Sequence, residues 1–580
     1  MLDQILKKFR AIIFSTLIFF STNSFGAGGI LPTVNDYSQD FDKSKILKKS
    51  KNLIKNVDKE NDKAKIEDET TEDELKVLVN KFNLEGNFSI SNEEIQLIVK
   101  DYLNKELTLS ELDEVTEDIT NLYIDKGMWA RAVLPDQDIT KNEITVEIIE
   151  ARLGKIIIQK PDGEKIRFKD ERAIKFLNNN QSKDKILSVS ALNENIQTLD
   201  SLAGISATAS LEAGEVDGET DIILEIEDQK KITGSFTADN HGSRSSGRGR
   251  ASTLININSA LHMGETITFQ NVYTYGSNYY SLGVSGPIGY KGVTASLRGS
   301  VMDYNLGTPL KSTEPQGDSK EISLSLNFPT ISYNNLTASF SFGASFNEYL
   351  NKTNSGITSE KTNLKSNLDI NLGLVDNFLG GGLNTLSLSF AHGEIDLGDN
   401  RSDLDSDSTT AKTQGNYEKI GLNFSRTQIL NDRNSLFFST NGQYGFKNLD
   451  SAEQISLGGV NNVRGFPNSE ASGTNGIITS LEHRFTLSDK VQTKLFYDFG
   501  KIKQYEYAYS GWNSSNTSLS NAYDISGLGF GLDVNMNPTS NLSFIYATKL
   551  SANPASDASG NDNDGTDKKH RFWLSFNRIF

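Results

Sequence analysis

The sequence predicts two α+β repeats followed by an all-β transmembrane barrel of about sixteen antiparallel strands. Three observations predict it. A β-α-α-β-β order of roughly 75 residues occurs twice in succession, a repeat that only its element order reveals. After Lys231 helical periodicity gives way to segments of about ten residues that alternate apolar and polar. The connections between those segments alternate short and long, as in a barrel with tight turns on one rim and extended loops on the other.

The chain has 580 residues and a net charge of −17, which disfavours a nucleic-acid partner. It has no cysteine, so disulfides, thiolate metal sites and cysteine nucleophiles are excluded. The five histidines (His241, His262, His392, His483 and His570) are not paired at metal-ligand spacing. Residues 1–26 read as a cleaved secretory signal. Lys7, Lys8 and Arg10 form its basic start, Ala11 to Phe20 its short apolar core, and Ser24 and Gly26 the small residues before the cut. No later segment reaches ~18 consecutive apolar residues, so no transmembrane helix is expected. Residues 27–76 are rich in Lys, Asp, Glu and Asn. Within them Ser44 to Asp58 fits a short amphipathic helix, and the rest fits a linker.

The first repeat spans 77–152. A strand is expected over 77–87, then a helix from Ser91, with Ser91 and Glu94 spaced as a capping box. A second helix fits Ser110 to Lys126, because Leu112, Val115, Ile119 and Tyr123 recur at helical spacing. Gly127 stops it. Strands MWARAVLP and EITVEIIEA follow. The second repeat spans 153–230, with strands at 155–159, ISATASLEAG and TDIILEIED, and helices at 170–178 and 188–202.

The barrel spans 231–580. Ile322, Leu324, Leu326 and Phe328 alternate with Ser323, Ser325 and Asn327, and Leu336 to Phe346 does the same. Short turns are expected at 261–264, 286–292, 431–434, 488–490 and 537–540. Long loops are expected at 305–319, 347–362, 397–414, 448–474, 504–522 and 552–569. A solenoid needs a fixed period, and a single β-sandwich takes only about 100 residues, so neither fits. The chain ends on the strand RFWLSFNRIF, with Phe576 and the terminal Phe580 on one face.

Several stretches carry a resemblance to a known family. The β-α-α-β-β units resemble POTRA domains. Residues 123–156 resemble the end of the first POTRA domain of two-partner secretion transporters, the TpsB or haemolysin-activator family. The matching residues are Tyr123, Gly127, Trp129, Leu134, Pro135 and Gln137, and the run from Ile144 to Gly154. Met128 and Asn142 depart from the usual pattern, without disturbing a strand. FTADNHGSRSSGRGR (236–250) resembles the family's opening barrel strand. Val463-Arg464-Gly465-Phe466 and Phe496-Tyr497-Asp498-Phe499-Gly500 resemble motifs shared by the wider superfamily. The resemblance covers roughly 77–580. Two repeats favour the secretion branch over barrel-assembly factors, which usually carry more.

The resemblance implies an outer-membrane transporter whose POTRA domains lie in the periplasm. It would recognise an unfolded TpsA-type exoprotein, a haemolysin or adhesin, and pass it through the barrel without ATP. Activation of the client is a further possibility of the family. Gly127, Leu134, Pro135 and Gln137 become candidate recognition residues, and an open POTRA sheet edge a place for the client to add a strand. Phe576 and Phe580 match the signal read by the barrel-assembly machinery, and the barrel exterior would meet outer-membrane lipid. Loop 448–474 would fold back into the barrel, as the sixth on its side. Asp498 sits mid-strand with Phe496 and Gly500 on the face opposite Tyr497 and Phe499, so it points inward if those two face lipid. Arg464 is its expected partner, because an arginine–carboxylate pair is geometrically specific. Gly465 would allow a tight turn, and Gly500 would leave room on the wall. In relatives an N-terminal helix can plug the pore; 44–57 fits that role or a plain linker.

No catalytic residues, metal site or cofactor are expected. There is no phosphate-binding Gly-x-x-x-x-Gly-Lys-Ser/Thr, no Gly-x-Ser-x-Gly and no His-Glu-x-x-His. GNDNDGTD (560–567) fails as a calcium loop because Arg571 stands where the closing Glu belongs, and it reads as a solvated loop. Asp403, Asp405 and Asp407 likewise read as surface charge. The alternatives are an assembly factor that inserts β-barrels and a porin-like channel or adhesin.

Overall fold

The structure is a computed structural model. It describes residues 54–55 and 76–580, apart from 140, 161–165, 180, 182–185, 217, 334, 399 and 515. The signal expected over 1–26, and all of 27–76 except 54–55 and 76, lie outside the described residues. Ile54–Lys55 (β1) falls within the segment expected to be helical, yet it is extended. It adds in parallel to an outer strand of the second repeat, at Ala209 and Ser210. An outer strand has unpaired N–H and C=O groups that an extended neighbour satisfies.

In the first repeat β2 (Val77–Val79) and β3 (Lys81–Glu85) are separate strands rather than one. Helix α1 (Asn92–Val99) ends in a short 3-10 turn, and β4 (Lys105–Leu107) pairs with β2. Helix α2 (Leu109–Asp125) follows, then β5 (Ala130–Val133) and β6 (Glu143–Glu150). The sheet order is β3-β6-β5. The complete capping box lies at Thr108 and Glu111. At Ser91 only half of one forms, because Glu94 is drawn to Lys126 at 2.5 Å. Hydrogen bonds from Thr108 hold the Glu111 carboxyl below its usual range. Leu112, Val115, Ile119 and Tyr123 all point into the core. Burial and the Glu150 carboxylate, 2.9 Å away, push the Tyr123 phenol above its usual range.

The second repeat contains β7 (Arg152–Gln159), α3 (Asp170–Leu177), α4 (Val189–Asp200), β8 (Ile205–Ala213) and β9 (Glu219–Asp228). Its sheet order is β1-β8-β9-β7. The two repeats join through backbone bonds: Trp129 N–H donates to Leu187 O, Leu187 N–H to Ala151 O, and Ala151 N–H to Trp129 O.

The rest of the chain closes into a sixteen-strand antiparallel barrel. Its strands begin with β10 (Ile232–Asp239), β11 (Arg250–Asn258), β12 (Thr266–Thr274), β13 (Ser277–Pro287), β14 (Thr294–Asn305) and β15 (Gln316–Asn327). After Pro329, which cannot donate to a ladder, β15 resumes as the short β16 (Ile331–Tyr333). Then come β17 (Leu336–Thr353), β18 (Gly356–Asp376), β19 (Gly382–Asp396), β20 (Gly415–Asn431) and β21 (Asn434–Gly445). Two short strands, β22 (Ile455–Leu457) and β23 (Ala471–Gly473), belong to the next connection. The wall is completed by β24 (Asn475–Ser488), β25 (Val491–Lys503), β26 (Ala522–Asn537), β27 (Ser540–Lys549) and β28 (His570–Ile579).

The alternation is realised as an apolar exterior. Leu282, Leu297, Val301, Leu481, Leu495 and Phe572 are all exposed. Water would penalise such a belt, and lipid suits it. The long loop expected over 347–362 is instead a continuous hairpin of β17 and β18 with its tip at Asn354-Ser355. Its lysines and asparagines look like loop composition, yet Lys361, Asn363 and Lys365 are buried toward the lumen. The barrel closes between β10 and β28. Gly234 and Phe580 exchange backbone hydrogen bonds of 3.1 and 3.0 Å there, so the terminal residue seals the seam. Phe576 also lies in this pairing, opposite Ala238.

The second repeat stands against the short-turn rim. Arg167 binds Asp228 at 3.0 Å and donates to Asn258 O, at the end of β11. Tyr290 of the β13–β14 turn packs edge-on against Phe176 of α3 at 5.1 Å. The repeats therefore open toward the barrel from the rim opposite its long loops.

Candidate functional site

The sixth connection on the long-loop rim, residues 446–474 (loop 6), does not leave the barrel. Its limbs pair with each other as β22 and β23. Gly458 (φ +83°) and Gly459 (φ +92°) turn the corner, in a backbone region where a side chain is strained. The tip then inserts against the wall. Val463 and Phe466 are fully buried, in a cluster with Leu457, Ile478, Ile502 and Ile525.

Arg464 lies between them, 5% exposed. Its Nε donates to Asp498 Oδ2 at 2.7 Å and its Nη2 to Asp498 Oδ1 at 2.6 Å, the two-pronged fit of guanidinium to carboxylate. The Arg464 backbone N–H donates to Asp498 Oδ2 at 3.1 Å. Nη1 donates to Glu482 Oε1 at 2.7 Å, and Nη2 also reaches Ser480 Oγ at 2.8 Å. The guanidinium stacks on the Phe496 ring, 3.3 Å from its centroid. Asp498 is fully buried, while its neighbour Tyr497 is exposed. Register builds this pocket: Ser480 pairs with Asp498, and Glu482 with Phe496, across β24 and β25. Arg484 balances the second carboxylate, 2.7 Å from Glu482.

Both glycines are set by close approach. A Cβ on Gly500 would lie 2.9 Å from Leu457 and from Val463. A Cβ on Gly465 would lie 2.9 Å from Thr548 O and 3.0 Å from Lys549 N. Gly465 does sit in the tight turn expected of it, closed by Phe466 N–H donating to Val463 O at 3.1 Å, but its φ is not left-handed, so it is closeness to β27 that demands a glycine there.

Three partners escaped the sequence: Glu482, Ser480 and Trp573. Trp573 Nε1 donates to Arg464 O at 3.0 Å from β28. The signal for Glu482 was present, since it is a charge at an inward mid-strand position. Its match to loop 6 was invisible without register. Trp573→Phe keeps an aromatic side chain but removes the bond and part of the buried ring volume. It is expected to cost about 1–3 kcal/mol, read as faster protease cleavage within loop 6 in an otherwise intact barrel.

Neighbouring loops cover the site. Asn468 Nδ2 donates to His241 O at 2.6 Å. Glu470 accepts from Asn553 and Asn563 of the eighth loop. The segment 560–567 is only partly solvated, against expectation: Asp562 and Asp564 are buried and paired with Arg571 at 2.9 and 3.1 Å. Asp407 is also buried rather than at the surface, accepting from the Thr413 and Gln414 backbone. In the first repeat, Gly127 (φ +71°) lies at the junction, where a Cβ would strike the Ser190 hydroxyl. Leu134 packs on the core. Pro135 O accepts from Gln137 Nε2 at 3.3 Å, and the Gln137 amide exchanges hydrogen bonds with the Thr145 backbone, continuing the ladder beyond β5.

Comparison with known proteins agrees with this architecture. Residues 218–533 match the family described as haemolysin secretion/activation protein ShlB/FhaC/HecB, and residues 77–151 match the POTRA domain of ShlB type. The heme/hemopexin transporter protein HuxB of Haemophilus influenzae (strain 86-028NP) is 25% identical over 507 residues, covering 85% of each chain. The outer membrane transporter CdiB of Escherichia coli O6:K15:H31 (strain 536 / UPEC) is 24% identical over 418 residues, 69% of this chain and 67% of that one. A solved structure of CdiB from Escherichia coli superposes with a TM-score of 0.67 at 18% identity, over 95% of this chain and 99% of that one, and so shares the fold. With two ShlB-type features in order along one chain, a POTRA domain and the matching barrel, this protein belongs to the ShlB/FhaC/HecB family of outer-membrane secretion/activation proteins.

Proposed function

We propose that this chain exports a TpsA-type exoprotein, of haemolysin or adhesin kind, across the outer membrane. The POTRA repeats receive the unfolded client in the periplasm, and the barrel passes it outward. The seating of the loop 6 tip carries this assignment. A barrel that merely leaked solutes has no use for a buried arginine bound to two wall carboxylates at the tip of a folded-in loop. Such a device suits a pore whose filling must be held in one arrangement and changed in use.

Recognition by strand addition is supported by β8, whose edge already accepts the extended Ile54–Lys55. Backbone pairing of this kind makes few sequence demands. Leu134, Pro135 and Gln137 then act by shaping the first repeat, since the Leu134 and Gln137 side chains and the Pro135 carbonyl are engaged internally. Gly127 sets the angle between the repeats. No chemistry is assigned to any residue; the work is positional, and client folding outside supplies direction without ATP. Lipid surrounds the apolar belt, and the Phe576–Phe580 end is offered to the assembly machinery before it closes the seam.

The test is co-expression with an exoprotein encoded beside this chain. The client is expected in the medium only when the transporter is present, with other outer-membrane proteins unaffected. A general loss of outer-membrane barrels on depletion, with export of the client unchanged, would identify an assembly factor instead.

A further inference from the structure

A second buried charge cluster lies at the root of loop 6, away from the tip. Glu453 is 1% exposed. Lys365 Nζ lies 2.8 Å from its Oε1, and Lys419 Nζ 2.8 Å from its Oε2. Asn363 Nδ2 donates to Oε1 at 2.7 Å. The Tyr417 hydroxyl donates to Asn363 Oδ1 at 3.0 Å, which turns the amide N–H toward Glu453. The Glu453 backbone carbonyl also accepts from Lys419 at 2.9 Å and from Gln443 at 3.0 Å. Three residues earlier, Asp450 is held by Lys361 at 2.7 Å.

The wall side of this cluster is built by alternation. Lys361, Asn363 and Lys365 share the inward face of β18, and Lys419 comes from β20, with Gly393 of β19 paired between Lys365 and Tyr417. Three buried lysines on one wall are unfavourable alone, because each has lost its hydration and all carry the same charge. The two loop carboxylates relieve this, so the wall itself favours the loop being in place. The tip site shares no residue with the cluster. Its hydrogen bonds to the wall come from β24, β25 and β28, whereas those of the root come from β18, β20 and β21. Gly458 and Gly459, both left-handed, lie between the two anchors.

We propose that loop 6 is fastened in the lumen at two independent points. Glu453 is the positioning residue of the second: its lysine pocket keeps the root of the loop in the pore when the Arg464 tip is released. The pair of glycines is then the hinge. This rests on loop 6 filling the pore of the proposed transporter.

The test is single-channel conductance of the purified full-length protein in planar bilayers. Arg464→Ala is expected to stay within about twofold of the wild type, while Arg464→Ala with Glu453→Ala opens the pore several-fold further. Arg464→Ala with Lys365→Gln and Lys419→Gln removes the pocket from the wall side and should reproduce that opening. Glu453→Ala alone leaves two lysines without their carboxylate, so the reversal potential in a KCl gradient should move toward anion preference, and Glu453→Asp should restore it. Heat-modifiable migration shows that each barrel is folded. The proposal is overturned if Arg464→Ala alone opens the pore as far as the double variant, or if Glu453→Ala leaves selectivity unchanged. Neither readout needs a client, so failure here is separable from failure of export.

Discussion

Arg464→Ala is expected to leave the barrel folded and inserted while client export falls by about tenfold or more. The substitution removes a cation that satisfies both Asp498 and Glu482, and leaves a fully buried carboxylate without its partner. Breaking a buried pair from one side costs about 3–5 kcal/mol. The barrel withstands this because its closure rests on sixteen paired strands, none of which includes Arg464. The loop tip has no such reserve. Its hydrophobic contacts persist, but an uncompensated charge now lies beneath them. Arg464→Lys should rescue only in part, since an ammonium is a point charge and cannot fill the Asp498, Glu482 and Ser480 positions at once. Client in the medium reports export, and heat-modifiable migration reports the barrel. Wild-type export by Arg464→Ala in a folded barrel would sink the role given to the tip.

Gly465→Ala should produce a comparable loss with every charge retained. The added methyl would meet Thr548 O and Lys549 N at 2.9 and 3.0 Å. Both are backbone atoms of β27, and Thr548 is paired on one side to Leu528 and on the other to His570. That strand cannot shift without disturbing two ladders, so the tip must lift. Overpacking of this kind costs about 1–3 kcal/mol, and here it also misaligns the Arg464 fork. The two variants separate charge from seating. Should Gly465→Ala export normally, the tip tolerates displacement and its position is not what matters.

Much of the tip site was legible. Val463 to Phe466 and Phe496 to Gly500 are compact motifs, and period-two alternation put Asp498 on the face away from Tyr497. The helix stripe Leu112, Val115, Ile119 and Tyr123 was equally plain, because helical periodicity is a property of one short segment. The hairpin of β17 and β18, whose tip region was expected as a loop, was missed for an instructive reason. Its Lys361, Asn363 and Lys365 face a polar lumen, so the strand carries loop-like composition even though it is continuous and paired. GNDNDGTD was misjudged in the same way: buried charge and solvated charge use the same residues, and only the presence of Arg571 and Lys549 distinguishes them.

The sequence alone determined the repeats, the alternating strands, most of the short and long connections, and the two motifs that carry one charge pair. Each follows from local periodicity or a contiguous motif, which backbone geometry dictates within a few residues. The tertiary structure alone decided that Glu482, Ser480 and Trp573 complete the Arg464 pocket, and that Glu453 meets Lys365 and Lys419. Those contacts depend on strand register and on closure of the barrel. Both are set by pairings between distant segments, and a buried charge is stable only where those pairings deliver its partner.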